Sequence, residues 1–246
     1  MSEATLSSST FKTRSIVLFA VGLAAAVIFM MTSAEDNFWL HLISKPIPVL
    51  AMALWLALLP RKGRYQWAVI IGLLLSATGD VLLSWSDGTF LFGLIAFLLG
   101  HVAYIVAFLR DSRGLYLGRG LLAYAYGALA YGYLYTTGDL GDMTIPVLAY
   151  VIVICTMLWR ASCRVGAPDV HQRSAWIGLA GAAFFTLSDT LLALGMFAGQ
   201  RPLGPYAVII TYWLGQLGIT LSAYWQLVGQ PNSRQPRQND ARQPVN

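Results

Sequence analysis

The chain reads as an all-α polytopic membrane protein, a bundle of eight transmembrane helices with both termini in the cytoplasm. Three observations predict this. First, 57% of its 246 residues are hydrophobic and only 11% are charged, against about 25% charged in ordinary soluble domains, which excludes a soluble globule. Second, the apolar residues fall into eight runs separated by short polar breaks, and about 20 apolar residues suffice for one span. Third, fourteen of the sixteen Lys and Arg fall in the two tails and alternate connections; Arg201 alone takes the opposite side, and Lys45 sits inside a run. Lys and Arg mark the cytoplasmic side, and this segregation requires an even number of spans.

The first run, 15–32, follows a short tail, 1–14, that carries Lys12 and Arg14. It ends in Thr32-Ser33-Ala34, which is similar to a signal-peptidase site, but its 18 residues exceed the roughly 7–15 of a signal h-region, so it reads as a span. The second run, 38–59, contains Lys45-Pro46-Ile47-Pro48. Each proline lacks an N–H and disfavours helix in the residue before it, so the carbonyls of Leu42 and Ser44 lose their usual partners. Such a break is tolerated in a bilayer only where it faces protein or a wet cavity.

The third and fourth runs, 67–85 and 90–109, follow Arg61, Lys62 and Arg64 and precede Arg110, Arg113 and Arg119. The fifth, 121–135, holds Tyr124, Tyr126, Tyr131, Tyr133 and Tyr135, expected to serve packing and interface anchoring. The sixth, 145–159, leads into Arg160, Arg164 and Arg173; the seventh and eighth are 175–197 and 206–228. Glu35, Asp36, Asp87, Asp139 and Asp142 fall on the outer side. The tail 229–246, which carries Arg234, Arg237 and Arg242, has almost nothing apolar to bury and is expected to be disordered. Residues 15–228 thus form one transmembrane domain, expected in a bacterial cytoplasmic (inner) membrane. Cys155 and Cys163 make no CxxC pair, so neither a disulfide framework nor structural zinc is expected. The net charge of +5 is topological rather than a nucleic-acid footprint.

Within so apolar a bundle, ionisable and polar groups inside the spans are the functional candidates: Lys45, Asp80, His101, Asp189, and with them Tyr104, Tyr212 and Gln216. At 1.5 Å rise per residue, Asp80 lies about 7 Å, Lys45 about 10 Å and Asp189 about 12 Å from the outer ends of their spans, and His101, Tyr212 and Gln216 at about 9–16 Å. One cavity opening toward the outer leaflet can gather them. Gly93, Phe97, His101, Tyr104 and Phe108 follow three- and four-residue steps and share a helix face. The segments GLLLSATGDVLL, from Gly72, and GAAFFTLSDTLL, from Gly181, repeat D-x-L-L at an offset of 109 residues, which reads as the relic of a parallel repeat. Outside these segments it does not hold: Lys45 maps to Ile154 and His101 to Ile210. Ser76, Ser84 and Ser188 read as helix-packing groups. HExxH, GxSxG and Walker motifs are absent, which speaks against those hydrolase classes.

Lys45-Pro46, Gly79-Asp80 within its block, Phe97, His101 and Tyr104 in FGLIAFLLGHVAYIVAF, Ser188-Asp189-Thr-Leu-Leu, and Tyr212-Trp-Leu-Gly-Gln216 together resemble the YhhN-like lysoplasmalogenases, in the family's order from the second span to the eighth. Trp213 departs from the pattern, in which a second tyrosine is frequent. The resemblance implies hydrolysis of the vinyl ether of a lysoplasmalogen to a fatty aldehyde and glycerophosphoethanolamine or glycerophosphocholine. It implies Asp80 and Asp189 as the acid–base pair, since two nearby carboxyls resist joint ionisation and so supply one acid and one base, much as glycosidases do around a similar cation. Lys45, His101, Tyr104, Tyr212 and Gln216 become substrate-binding residues, Lys45 holding phosphate or tuning an aspartate, with the lipid chain against Phe97, Phe184, Phe185 and Leu192. The substrate is a lysolipid within the bilayer; no metal, cofactor or nucleic acid is expected. Read from the residues alone, a proton-coupled transporter stands level with an enzyme, and a lipid-binding protein without turnover is a third alternative.

Overall fold

A computed structural model describes residues 3–60, 62–168 and 170–229. Arg61 and the tail beyond Gly229, with Arg234, Arg237 and Arg242, lie outside the described residues. The described chain is helical: α1 (Glu3–Met31), α2 (Phe38–Ser44), α3 (Ile47–Leu58), α4 (Arg64–Trp85), α5 (Phe90–Asp111), α6 (Leu117–Thr137), α7 (Thr144–Ser162), α8 (Gln172–Phe197) and α9 (Ala207–Val228). The protein is a polytopic membrane protein. Among the described residues seven segments are long and apolar enough to cross a bilayer, α2 and α3 counting as one, and large apolar side chains such as Leu23, Leu54, Ile71, Leu129 and Leu214 are exposed.

The break at Lys45-Pro46 falls where the prolines require it. Asn37 caps α2 by accepting the Leu40 N–H at 3.0 Å, and α3 restarts with the Leu50 N–H donating to the Pro46 carbonyl at 2.9 Å. On the basic side several helices outrun their apolar cores, so Arg64, Arg110, Arg119, Arg160 and Arg173 are helical residues. Where such a side chain is not buried, its long stem can carry the charge out of the apolar region while the backbone keeps its helical hydrogen bonds.

The fifth expected span, α6, is the one of the eight that falls short of the apolar criterion. Its tyrosines explain both the low hydropathy and the way it is held. Tyr124 meets Thr156 Oγ1 at 2.7 Å, Tyr126 meets Thr190 Oγ1 at 2.8 Å, Tyr131 donates to the Thr144 carbonyl at 3.1 Å, and Gln200 donates to the Tyr133 hydroxyl at 2.8 Å. Beyond the expected packing role, four hydroxyls tie α6 to α7, α8 and the connection after α8.

Helix neighbours repeat along the chain. α1 lies beside α3 as α6 lies beside α7; α4 pairs with α5 as α8 pairs with α9; α3 touches α9 as α7 touches α5. This carries the D-x-L-L repeat to the level of helix packing, and helices four apart run parallel. The α8–α9 contact is backbone on backbone, because a Cβ at Gly181 would fall 2.6 Å from the Ile219 nitrogen.

At the basic end Arg164, expected in a loop, is fully buried. Its guanidinium donates to Asp111 Oδ2 at 2.8 and 3.1 Å, to Ser174 Oγ at 2.7 Å and to Ser222 Oγ at 2.9 Å, and lies over the rings of Tyr65 and Phe108. Arg160 is also buried and donates to the carbonyls of Ser112 and Gly114. Two of the charges that mark the basic side therefore fasten the bundle. Asp111→Ala leaves the Arg164 guanidinium buried without its counter-charge and should cost about 3–5 kcal/mol. A lowered midpoint of thermal unfolding in detergent measures this, and Asp111→Asn, which keeps an acceptor, should lose less.

Candidate active site

Toward the end of the bundle opposite the Arg164 cluster, α4 through α9 surround a cavity of about 210 Å³. Its wall is mostly apolar, built from residues such as Leu83, Phe97, Leu134, Val151, Ile154 and Leu192, and is interrupted by Lys45, Asp80, Tyr150, Ser188, Asp189 and Tyr212. Four of the expected site residues, Lys45, Asp80, Asp189 and Tyr212, thus reach one space from separate elements.

Asp80 is 1% exposed. α4 comes close to α5 at Gly79, where a Cβ would fall 2.5 Å from the Phe97 ring. Tyr212, from α9, donates its hydroxyl to Asp80 Oδ2 at 2.7 Å. Phe97 and Phe185 pack edge-on against the Tyr212 ring at 5.7 and 5.4 Å and fix its orientation. Lys45 Nζ donates to Ser84 Oγ at 2.9 Å. Ser84 lies four residues beyond Asp80, hence on the same face of α4 one turn nearer its C-terminal end. The ammonium thus stands on the Asp80 side of the cavity, and Ser84, expected as a packing group, orients it. Ser188 keeps the packing role, donating to the Val208 carbonyl on α9 at 2.8 Å.

Asp189 is the more open carboxyl, its side chain 14% exposed. Tyr150, from α7, donates to Asp189 Oδ2 at 2.5 Å. Sequence reasoning passed over Tyr150. The available signal was its depth: about 8 Å below the start of the sixth run by helical rise, level with the two aspartates.

His101, Tyr104 and Gln216 are fully buried and stand behind the cavity wall rather than in it. The Tyr104 hydroxyl donates to Gln216 Oε1 at 2.6 Å, joining α5 to α9 beneath Tyr212. His101 Nε2 is 3.8 Å from Asp189 Oδ2. Of the residues expected along a lipid chain, Phe97 and Leu192 line the cavity, whereas Phe184 is 40% exposed and Phe185 is fully buried behind the wall. Adjacent residues on a helix point about 100° apart, so Phe184 and Phe185 do not share one surface. The apolar wall comes instead from α6 and α7, through Ala130, Leu134, Val147 and Val151 among others. Among the described residues no cluster of three His, Cys, Asp or Glu has the arrangement of a metal site.

The arrangement is amphiphilic: a cation and two carboxyls at one part of the wall, apolar side chains over the rest. Each carboxyl accepts a tyrosine hydroxyl from another helix, leaving its second oxygen for a ligand.

The chain is 34% identical over 210 residues to the lysoplasmalogenase TMEM86B of Sus scrofa, covering 84% of this chain and 86% of that protein. It is 34% identical over 207 residues to the lysoplasmalogenase TMEM86A of Homo sapiens, covering 80% and 82%. A lysoplasmalogenase of Mycobacterium tuberculosis is 32% identical over 160 residues, 61% of this chain and 56% of that one. No solved structure shows a significant match. The sequence profile of the YhhN family matches residues 40–223, which takes in Lys45, both aspartates and the tyrosines that hold them, and the chain belongs to that family.

Proposed function

We propose that the protein is a membrane-embedded hydrolase that cleaves the vinyl ether of lysoplasmalogens to a fatty aldehyde and glycerophosphoethanolamine or glycerophosphocholine. The observation that carries this reading is the pair Asp80 and Asp189 on one mostly apolar cavity wall, each bonded to a tyrosine hydroxyl. The names of the relatives over most of the chain support it. A vinyl ether hydrolyses when an acid protonates its β-carbon, giving an oxocarbenium-like cation that water captures; the resulting hemiacetal then collapses. One protonated carboxyl and one carboxylate supply the acid and base, and the carboxylate faces the developing cation.

The bilayer supplies the substrate's orientation. A lysolipid's vinyl ether lies just below its headgroup, at the depth of the two aspartates, and its chain meets the apolar wall. Lys45, one turn outward from Asp80, binds the phosphate, while Tyr212, Tyr104 and Gln216 hold the wall around the reacting atoms. Eight spans, α6 included, place both termini in the cytoplasm and open the cavity toward the outer leaflet of the cytoplasmic membrane.

Detergent-purified protein given lysoplasmalogen should release aldehyde without any ion gradient, and absence of release would defeat this reading in favour of a carrier. Asp80→Asn and Asp189→Asn should each lose at least ~100-fold in turnover while still folding, with the double variant little worse than either single one. Near-normal release from either single variant would rule out the two-carboxylate mechanism. Lys45→Met should mainly raise KM; a collapse of kcat at unchanged KM would place Lys45 in the reacting shell instead. Reporter fusions at both termini should register the cytoplasm, and a periplasmic signal from the C-terminus would overturn the eight-span topology.

A further inference from the structure

His101 presents a physical problem that the reaction outlined above does not use. It is fully buried, and among the described residues neither ring nitrogen has a hydrogen-bond partner, although leaving a buried polar group unpaired is costly. Its surroundings do not satisfy it: Phe185 and Tyr150 pack edge-on against the imidazole at 4.6 and 5.2 Å. It faces the acceptor Asp189 Oδ2, 3.8 Å from Nε2, about 1 Å beyond an N–H···O bond. Tyr150, which packs on the imidazole, donates to that same oxygen. The ring is therefore held by aromatic packing, a short movement away from a carboxyl that lines the cavity.

The two aspartates also differ in their charge surroundings. Asp80 has the Lys45 ammonium on its side of the cavity, bonded to Ser84 one turn further along α4. Asp189 instead accepts the neutral Tyr150 hydroxyl and faces His101; among the described residues neither aspartate forms an ion pair with a Lys or Arg.

Resting on the vinyl-ether reading, we infer that Asp189 is the proton donor, and that His101 is its positioning residue, closing onto the Asp189 carboxylate once the proton has left. In the first step the Asp189 O–H bond breaks, and the proton forms a C–H bond at the vinyl β-carbon with the π electron pair. His101 Nε2–H and the Tyr150 hydroxyl then both donate to Asp189. Water bonds to the α-carbon and gives its proton to the Asp80 carboxylate. In the collapse, Asp80 returns that proton to the glycerol oxygen as the C–O bond breaks, and the hemiacetal hydroxyl proton goes to Asp189. One water is consumed, both carboxyls regain their starting states, and His101 is released.

Two measurements test this. In turnover, His101→Phe keeps the aromatic packing but removes the donor, and should lower kcat about ten- to hundred-fold at nearly unchanged KM, part of what a general acid contributes. His101→Asn, which restores an N–H, should recover part of the loss. Equal losses in both variants, or a loss confined to KM, would overturn the positioning role. Infrared difference spectroscopy supplies a readout that does not need turnover. The C=O stretch of a protonated carboxyl should vanish in Asp189→Asn, persist in Asp80→Asn and shift in His101→Phe. A band that vanishes in Asp80→Asn instead, or that ignores His101, would overturn the assignment even where aldehyde release is normal. Conversely, absence of release from the unaltered protein would defeat the hydrolase reading, while the infrared bands would still report whether His101 and Asp189 are coupled.

Discussion

A carboxyl group among hydrocarbon chains has no water to bond, so its partners must come from the protein. Much of this bundle's inner arrangement follows from that requirement. Tyr212 reaches Asp80 from α9 and Tyr150 reaches Asp189 from α7, and each of these tyrosines is aimed by neighbouring aromatic rings. Satisfying two carboxyls thus ties α4 to α9 and α7 to α8 across the middle of the bundle. The same bonds leave one oxygen of each carboxyl for the cavity, so the contacts that make the charges tolerable also point them at a ligand.

The basic end solves the same problem with a cation. Arg164 is buried with Asp111, two serine hydroxyls and two aromatic faces, joining α5, α8 and α9 to the turn after α7. A buried ion pair gains little net stability, but one partner without the other is costly, so the cluster fixes which helix ends meet. The bundle is fastened there, while its cavity lies toward the opposite end, walled on one side by α6. That helix is held to α8 and the connection after it by hydroxyl contacts among exposed residues.

The helical repeat shows how partial the sequence signal was. The D-x-L-L segments pointed to a parallel repeat, and the neighbour relations of the helices follow it. Lys45 and His101 have no polar counterparts in the other half, since Ile154 and Ile210 occupy the mapped positions. The two aspartates accordingly acquired different surroundings, a lysine beside one and an imidazole facing the other. A symmetric scaffold carrying an asymmetric pair is what a reaction needing one acid and one base requires.

The sequence by itself determined the helical class, the places of the helices, the proline break beside Lys45, and the similar depth of Asp80 and Asp189. These follow from one-dimensional rules: a bilayer of fixed thickness demands apolar runs of fixed length, and each helical residue advances about 1.5 Å. It did not reveal that Tyr150 holds Asp189, that Ser84 holds Lys45, that Arg164 is buried, or that His101 stands behind the wall. Those facts depend on how each helix is rotated about its axis and which helices touch. Rotation and contact are set by packing between distant segments, such as the Phe97 ring on Gly79 and the backbone of α9 on Gly181. Depth is counted along one helix, whereas a hydrogen bond between Asp189 and a residue 39 positions away exists only once the helices have packed.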